Sequence, residues 1–326
     1  MNILPAVQYA VAALTIAATS ASIAQEQYPS QPIKIIVGFP AGGGNDITAR
    51  LVGEHLRKIL GQSVVVDNRP GASGMIATDI VAKSRPDGYT LLLASGEIAV
   101  NPHLYSKMAY DWDKDLATIS LLVKTPSVLV VHADVPAKNV AELIAYAKNN
   151  QGKLTFSSAG IGNPQQLAGE LFNKMAGVKI NHVPYKGGAA QLAGVAGKHV
   201  TMTFSSFAVA LPHIESGKLR PIAVTSLSRV SMMPDVPAIA EHPPLAGYEL
   251  INFMGLYGPA DLPDPILRKI NAATVQALKT PEVGGKLTGL GLLPSPSTPE
   301  QLREFLRAET KKYGRIIVDA DVKIEQ

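Results

Sequence analysis

The chain has 326 residues, 46% hydrophobic and 17% charged, which excludes a disordered polar segment and suits two α/β lobes of ordinary size. Thirty Lys and Arg against 26 Asp and Glu leave a formal charge of +4, scattered without a basic stripe, which argues against nucleic-acid binding. The absence of cysteine excludes thiol catalysis, disulfides and cysteine metal sites.

Residues 1–25 carry no charged side chain; an apolar run from Ala6 to Ala18 leads into the small residues Ser22-Ile23-Ala24. This predicts a signal peptide over 1–24, cut after Ala24 and too short to span a membrane, and hence a periplasmic protein. Short β-branched runs then alternate with helix-period segments, the pattern of βαβ units around a mainly parallel sheet. Strands are expected at 33–39 and 89–94, with an amphipathic helix over 47–60 stopped by Gly61. An apolar run at 127–131 follows. The pattern repeats with strands at 154–157, 200–204 and 221–225 and a helix at 165–175. Asp264-Pro265 and Thr298-Pro299-Glu300-Gln301 start two last helices, over 264–278 and 298–319, joined by a Gly-rich stretch near 284–291.

This order predicts two doubly wound α/β lobes, one from 26–125 plus 251–326 and one from 126–250. Two segments, near 127–131 and 252–257, are expected to cross between them as a hinge.

Phe39-Pro40-Ala41-Gly42-Gly43-Gly44-Asn45-Asp46 lies between a strand and a helix, where open α/β sheets bind ligands. Its glycines let a ligand approach the backbone, and the helix start offers unpaired N–H groups and a positive dipole end. The alternative is a tight turn with Asp46 as helix cap. Ser157-Ser158-Ala159-Gly160-Ile161-Gly162-Asn163-Pro164-Gln165 occupies the same position in the second half. If the lobes face each other, both helix starts point into one cleft, which suits a carboxylate at one end of a ligand and a polar group at the other. Ser95-Gly96-Glu97, Tyr185-Lys186-Gly187-Gly188 and Phe204-Ser205-Ser206 follow other strands and are candidates for the cleft walls. Lys186 is either a carboxylate partner or an exposed lysine.

Enzyme readings fail on spacing. Gly160-x-Gly162 is followed by Gln165 where a dinucleotide fingerprint needs glycine, and neither loop continues as a phosphate loop. No G-x-S-x-G elbow occurs, so a periplasmic α/β hydrolase is the disfavoured alternative; no cofactor is expected. The histidines His55, His103, His132, His182, His199, His213 and His242 are dispersed and read as surface or packing residues, not metal ligands. Glu54 and Glu170 read as solvated helix faces.

Gly38-Phe39-Pro40-Ala41-Gly42-Gly43-Gly44-Asn45-Asp46-x-x-Ala49-Arg50, Asn68-Arg69-Pro70-Gly71-Ala72-Ser73-Gly74, Tyr185-Lys186-Gly187-Gly188 and Leu211-Pro212-His213-Ile214-x-x-Gly217-Lys218-Leu219 together resemble the Bug family, the TctC-type receptors of tripartite tricarboxylate transporters. The resemblance spans the chain after the signal segment. It implies a monomeric Venus flytrap, not an enzyme, that closes on a small organic carboxylate and serves a tripartite tricarboxylate transporter membrane component or a sensor kinase. It further implies that the first loop holds one carboxylate through backbone N–H groups and waters, and that Ser158 to Asn163 takes the ligand's other end. The chain departs from the family's pattern at Asn163-Pro164-Gln165-Gln166, where a serine and a histidine are usual, and at Ser205-Ser206, where an acidic residue is usual. Both departures touch the end expected to choose the ligand.

Overall fold

The computed structural model describes residues 28–322, so the expected signal peptide lies outside the described residues. The first run of elements is β1 (Ile33–Val37), α1 (Gly44–Leu60), β2 (Val64–Asn68), α2 (Met75–Ala82), β3 (Thr90–Ser95), α3 (Glu97–Leu104), α4 (Trp112–Asp115) and β4 (Leu116–Thr125). The second is β5 (Ser127–His132), α5 (Val140–Asn149), β6 (Thr155–Ser158), α6 (Pro164–Ala176), β7 (Asn181–Pro184), α7 (Gly188–Ala196), β8 (Met202–Ser206), α8 (Phe207–Glu215) and β9 (Leu219–Val224). The chain ends with β10 (Asn252–Pro259), α9 (Asp264–Lys279), α10 (Pro281–Gly289), β11 (Leu293–Pro294) and α11 (Pro299–Asp319).

These strands form two mixed sheets, ordered β11-β4-β10-β3-β1-β2 and β7-β6-β8-β5-β9. β1 lies between β2 and β3, parallel to both, and four of its five side chains are buried. A strand covered on both faces has no polar side to alternate, which is why Ile33–Val37 is nearly all apolar. α1 stops at Gly61, whose left-handed backbone lets its N–H reach the Arg57 carbonyl. α11 begins with a capping box in which Thr298 and Gln301 each bond the other's backbone N–H.

Two sequence expectations need correction. The runs expected to form a hinge are core strands: β5 lies between β8 and β9, and β10 between β3 and β4. Strands with partners on both sides cannot flex freely, so the chain changes sheet just ahead of each, at residue 126 and over 225–251. The Gly-rich stretch expected as a connection is largely α10. Thr280 caps it, Pro281 takes the first position, and Val283 and Leu287 bury one face, which outweighs a cost of about 1 kcal/mol per interior glycine.

One apolar core runs through the waist, joining Leu121, Phe253 and Tyr313 on one side to Leu129, Phe156 and Phe172 on the other. α11 packs on α3 and β4 and also reaches α6, where Lys174 pairs with Asp319. Among the described residues, no helix is long and apolar enough to cross a membrane.

Candidate functional site

In the first sheet the carboxyl ends of β1 and β3 lie side by side. The chain leaves β1 through Gly38, where a Cβ would sit 2.7 Å from Gly74 Cα, so this loop rests directly on the turn before α2. That turn holds four consecutive residues at positive φ, including Ala72 and Ser73, a conformation that non-glycine residues avoid. The Asn101 side-chain amide donates to Ser73 O, which helps hold it (3.0 Å).

Asp46 is a brace for the loop. Its carboxylate accepts from Gly42 N–H (2.9 Å) and Arg50 Nε (3.0 Å), and the Arg50 guanidinium holds its carboxyl below the usual range. Arg50 continues to Asn68, whose amide donates to Phe39 O (3.0 Å). Pro40, Ala41, Gly42, Gly43 and Gly44 are exposed, and Phe39 is half-buried. Among the described residues no side chain caps α1, whose N-cap is Gly43. The first turn therefore presents backbone N–H groups at an exposed surface, the arrangement that binds anions.

Ser95 and Gly96 are committed internally. Asn45 Nδ2 donates to Ser95 Oγ (3.1 Å), and Ser95 in turn donates its hydroxyl and its N–H to Glu97. Gly96 N–H donates to Asn252 Oδ1 (2.9 Å). Burial pushes the Glu97 carboxyl above its ordinary range.

The second sheet places β6, β7 and β8 side by side. Ser158, fully buried, donates its hydroxyl to Gly160 O (2.8 Å) and lies 2.7 Å from His182 Nε2. The loop's own groups then take up most of its N–H donors. Ala159 N–H donates to Gln165 Oε1 (3.2 Å), Gly160 N–H to Ser158 Oγ (3.2 Å) and Gly162 N–H to Gln166 Oε1 (2.8 Å). Asn163 caps α6 by accepting from Gln165 N–H (2.8 Å). The Tyr185 ring lies against Gly194 of α7. Ser205 is buried, with its hydroxyl donating to Ser206 O (3.3 Å), and Lys186 is exposed.

The two sets of loops meet across the cleft. A Cβ on Gly162 would stand 2.3 Å from Leu104 Cδ1, and one on Gly96 would stand 3.4 Å from Pro164 Cγ. Sequence reasoning left out Asn45, Leu104, Gln166, His182 and Asn252 as site residues. Two of them carried a signal, Asn45 as a member of the Gly-rich loop and Gln166 as part of the departure from the family's pattern.

His182, expected as a surface or packing residue, packs on Phe156 and supports the second loop, and burial lowers its pKa to about 4. The ring charges above that value in the unfolded chain, whose ordinary value is 6.5, so the folded form holds fewer protons between the two. Stability should therefore fall as pH drops from 6.5 towards about 4. Urea titrations of the wild type and His182→Gln across that window check this; the variant should show the smaller slope. Glu170 is half-buried, not solvated, and burial pushes its carboxyl up.

A separate open groove between α9 and the start of α11, lined by Asn271, Val275, Gln276, Pro296 and Gln301, has its helix start already self-capped. Among the described residues no cluster of three His, Asp or Glu could hold a metal.

Residues 48–322 match the family described as "Tripartite tricarboxylate transporter family receptor". Protein BugT of Bordetella pertussis is 33% identical over 95% of both chains. The structure of R. palustris Rpa4515 with adipate superposes at a TM-score of 0.80, with 32% identity, covering 91% of this chain and 99% of that one. MatC from Rhodopseudomonas palustris with bound malate gives 0.74 at 28% identity, over 89% of this chain and all of that one. A family match over most of the length, a relative matched nearly end to end and two neighbours sharing the whole architecture agree: the chain belongs to the tripartite tricarboxylate transporter receptor family.

Proposed function

We propose that this receptor captures a small organic carboxylate between its two lobes in the periplasm and presents its closed form to a tripartite transporter membrane component. It acts as a monomer and does not transform the ligand. The observation that carries this reading is the exposed start of α1 at Gly43-Gly44, uncapped by any side chain among the described residues and held open by the Asp46–Arg50–Asn68 brace. Such a site binds an anion through backbone dipoles without burying a cation, whose desolvation would cost several kcal/mol. The adipate and malate held by two structural neighbours support a carboxylate. The apolar, uncharged run ahead of Gln25 supports export.

A thermal-shift screen of organic acids tests the proposal. A true ligand at about 100 times its Kd stabilises the folded state by about 2.7 kcal/mol. A flat response to every acid would refute the carboxylate reading, and recovery of a chemically altered ligand would refute the receptor reading.

A further inference from the structure

Glu97 is an acid without a counter-ion beside the cleft. It opens α3, just beyond the carboxyl end of β3. A Cβ on Gly74 would meet Glu97 Oε1 at 3.4 Å and the Phe39 ring at 3.6 Å, so the carboxyl lies against the footing of the first loop. It accepts from uncharged donors, the Ser95 N–H (2.8 Å) and the Ser95 hydroxyl, and no Lys, Arg or His pairs with it among the described residues. The groups facing it from neighbouring elements are Tyr110 ahead of α4, Tyr257 on β10 and Tyr313 on α11, whose hydroxyls burial keeps neutral. Charges further out are already paired, Asp46 with Arg50 on α1, Asp79 with Lys83 at α2 and Glu309 with Lys312 on α11, and His103 near the far end of α3 bonds to Thr310 O. An ionised Glu97 is therefore held by neutral dipoles alone, and a second negative charge brought to the α1 loop raises its cost.

Ser95 couples this acid to the loop. Its Oγ takes a hydrogen bond from Asn45 Nδ2 (3.1 Å), and Asn45 is the second residue of α1, the helix assigned to the ligand. While Glu97 is ionised, the Ser95 hydroxyl donates to it and turns only lone pairs towards the loop. Once Glu97 carries a proton, its own O–H can donate to Ser95 Oγ, which releases the Ser95 hydrogen to donate to an anion. One proton thus removes a repelling charge and turns an acceptor into a donor.

We infer that the receptor binds its carboxylate together with one proton, taken from water by Glu97 and returned when the ligand leaves, and that Ser95 transmits the state of Glu97 to the α1 loop. This rests on the carboxylate-receptor reading above and adds to it a positioning residue. The complex then holds more protons than the free receptor, so affinity is full at low pH and falls as pH rises. Burial, which lifts Glu97 above the ordinary carboxylate range, places the fall above that range. His182, with its pKa lowered to about 4, stays neutral there.

The test is calorimetric titration of the full receptor with adipate, malate, hexanoate and benzoate, following the tightest binder from about pH 6 to about pH 8. Its Kd should rise with pH by up to about tenfold per unit, and the heats in PIPES and Tris at about pH 7 should differ by the uptake of up to about one proton per ligand. In Glu97→Gln, checked for folding by a urea melt, the amide still donates to Ser95 Oγ, so the profile should be flat and the affinity at about pH 8 at least that of the wild type. Should that variant not fold, Ser95→Ala carries the assignment, with a shallower profile than the wild type. A flat profile without proton uptake in the wild type, or an unchanged slope in either variant, overturns the inference and leaves the carboxylate receptor standing. Binding of none of the four acids at either end of the pH range overturns both.

Discussion

Gly43→Asp should weaken ligand binding severely while leaving the fold as stable as before, or slightly more so. Gly43 is the N-cap of α1, with ordinary extended backbone at φ −80 and ψ 169, and its added Cβ meets only Pro40 O at 3.5 Å. An aspartate therefore fits without strain. At an N-cap its carboxylate accepts the N–H groups of the first turn and improves on glycine by a few tenths, about, of a kcal/mol. Those are the donors assigned to the ligand. The new charge also repels an incoming carboxylate, by about 4 kcal/mol at roughly 4 Å and an effective dielectric near 20. The affinity loss should be about a hundredfold or more. Calorimetry against the best acid, with a urea melt on the same sample, reads both effects. Undiminished affinity would remove the α1 start from the site.

Gly162→Ala should weaken binding by about ten- to a hundredfold through a different route, the closed state itself. Its backbone has φ +74, and its Cβ would stand 2.3 Å from Leu104 Cδ1. Leu104 belongs to α3, beside the first sheet, and Gly162 to the loop before α6, beside the second. The contact joins elements of the two sheets, so its clash is expected to act on their approach. Overpacking of this kind costs about 1–3 kcal/mol, charged here against closure. The left-handed backbone adds a strain of about 1–2 kcal/mol that is present open or closed. The two parts separate experimentally. Leu104→Ala placed on Gly162→Ala should restore most of the affinity but none of the stability lost in the ligand-free urea melt. If the double variant binds no better than Gly162→Ala, the contact does not govern closure.

The two Gly-rich loops could be located from sequence because each is a cluster of glycines between a β-branched run and a helix signal. Such local chemistry places a turn at the carboxyl end of a strand whatever lies around it. Thr298 with Gln301 and Gly61 were readable for the same reason: a cap is made by residues within one turn of each other. What escaped were bonds between distant residues. Asn252 and Gly96 are 156 positions apart, and Ser158 and His182 are 24 apart.

The sequence by itself determined the alternation of strands and helices, the end of α1, the start of α11 and the positions of the glycines, because these depend on side-chain period and on backbone freedom within a few residues. It also suggested two helix starts facing one cleft, since both loops show the same local pattern. Only the tertiary structure decided that they are unequal. Whether an N–H group at a helix start is free depends on which side chains fold back onto it. Gln165 and Gln166 do so in the second lobe, whereas in the first the Asp46 carboxylate turns instead to Arg50 and Gly42. The tertiary structure likewise turned the expected hinge runs into core strands, because pairing on both edges is settled by neighbours far along the chain.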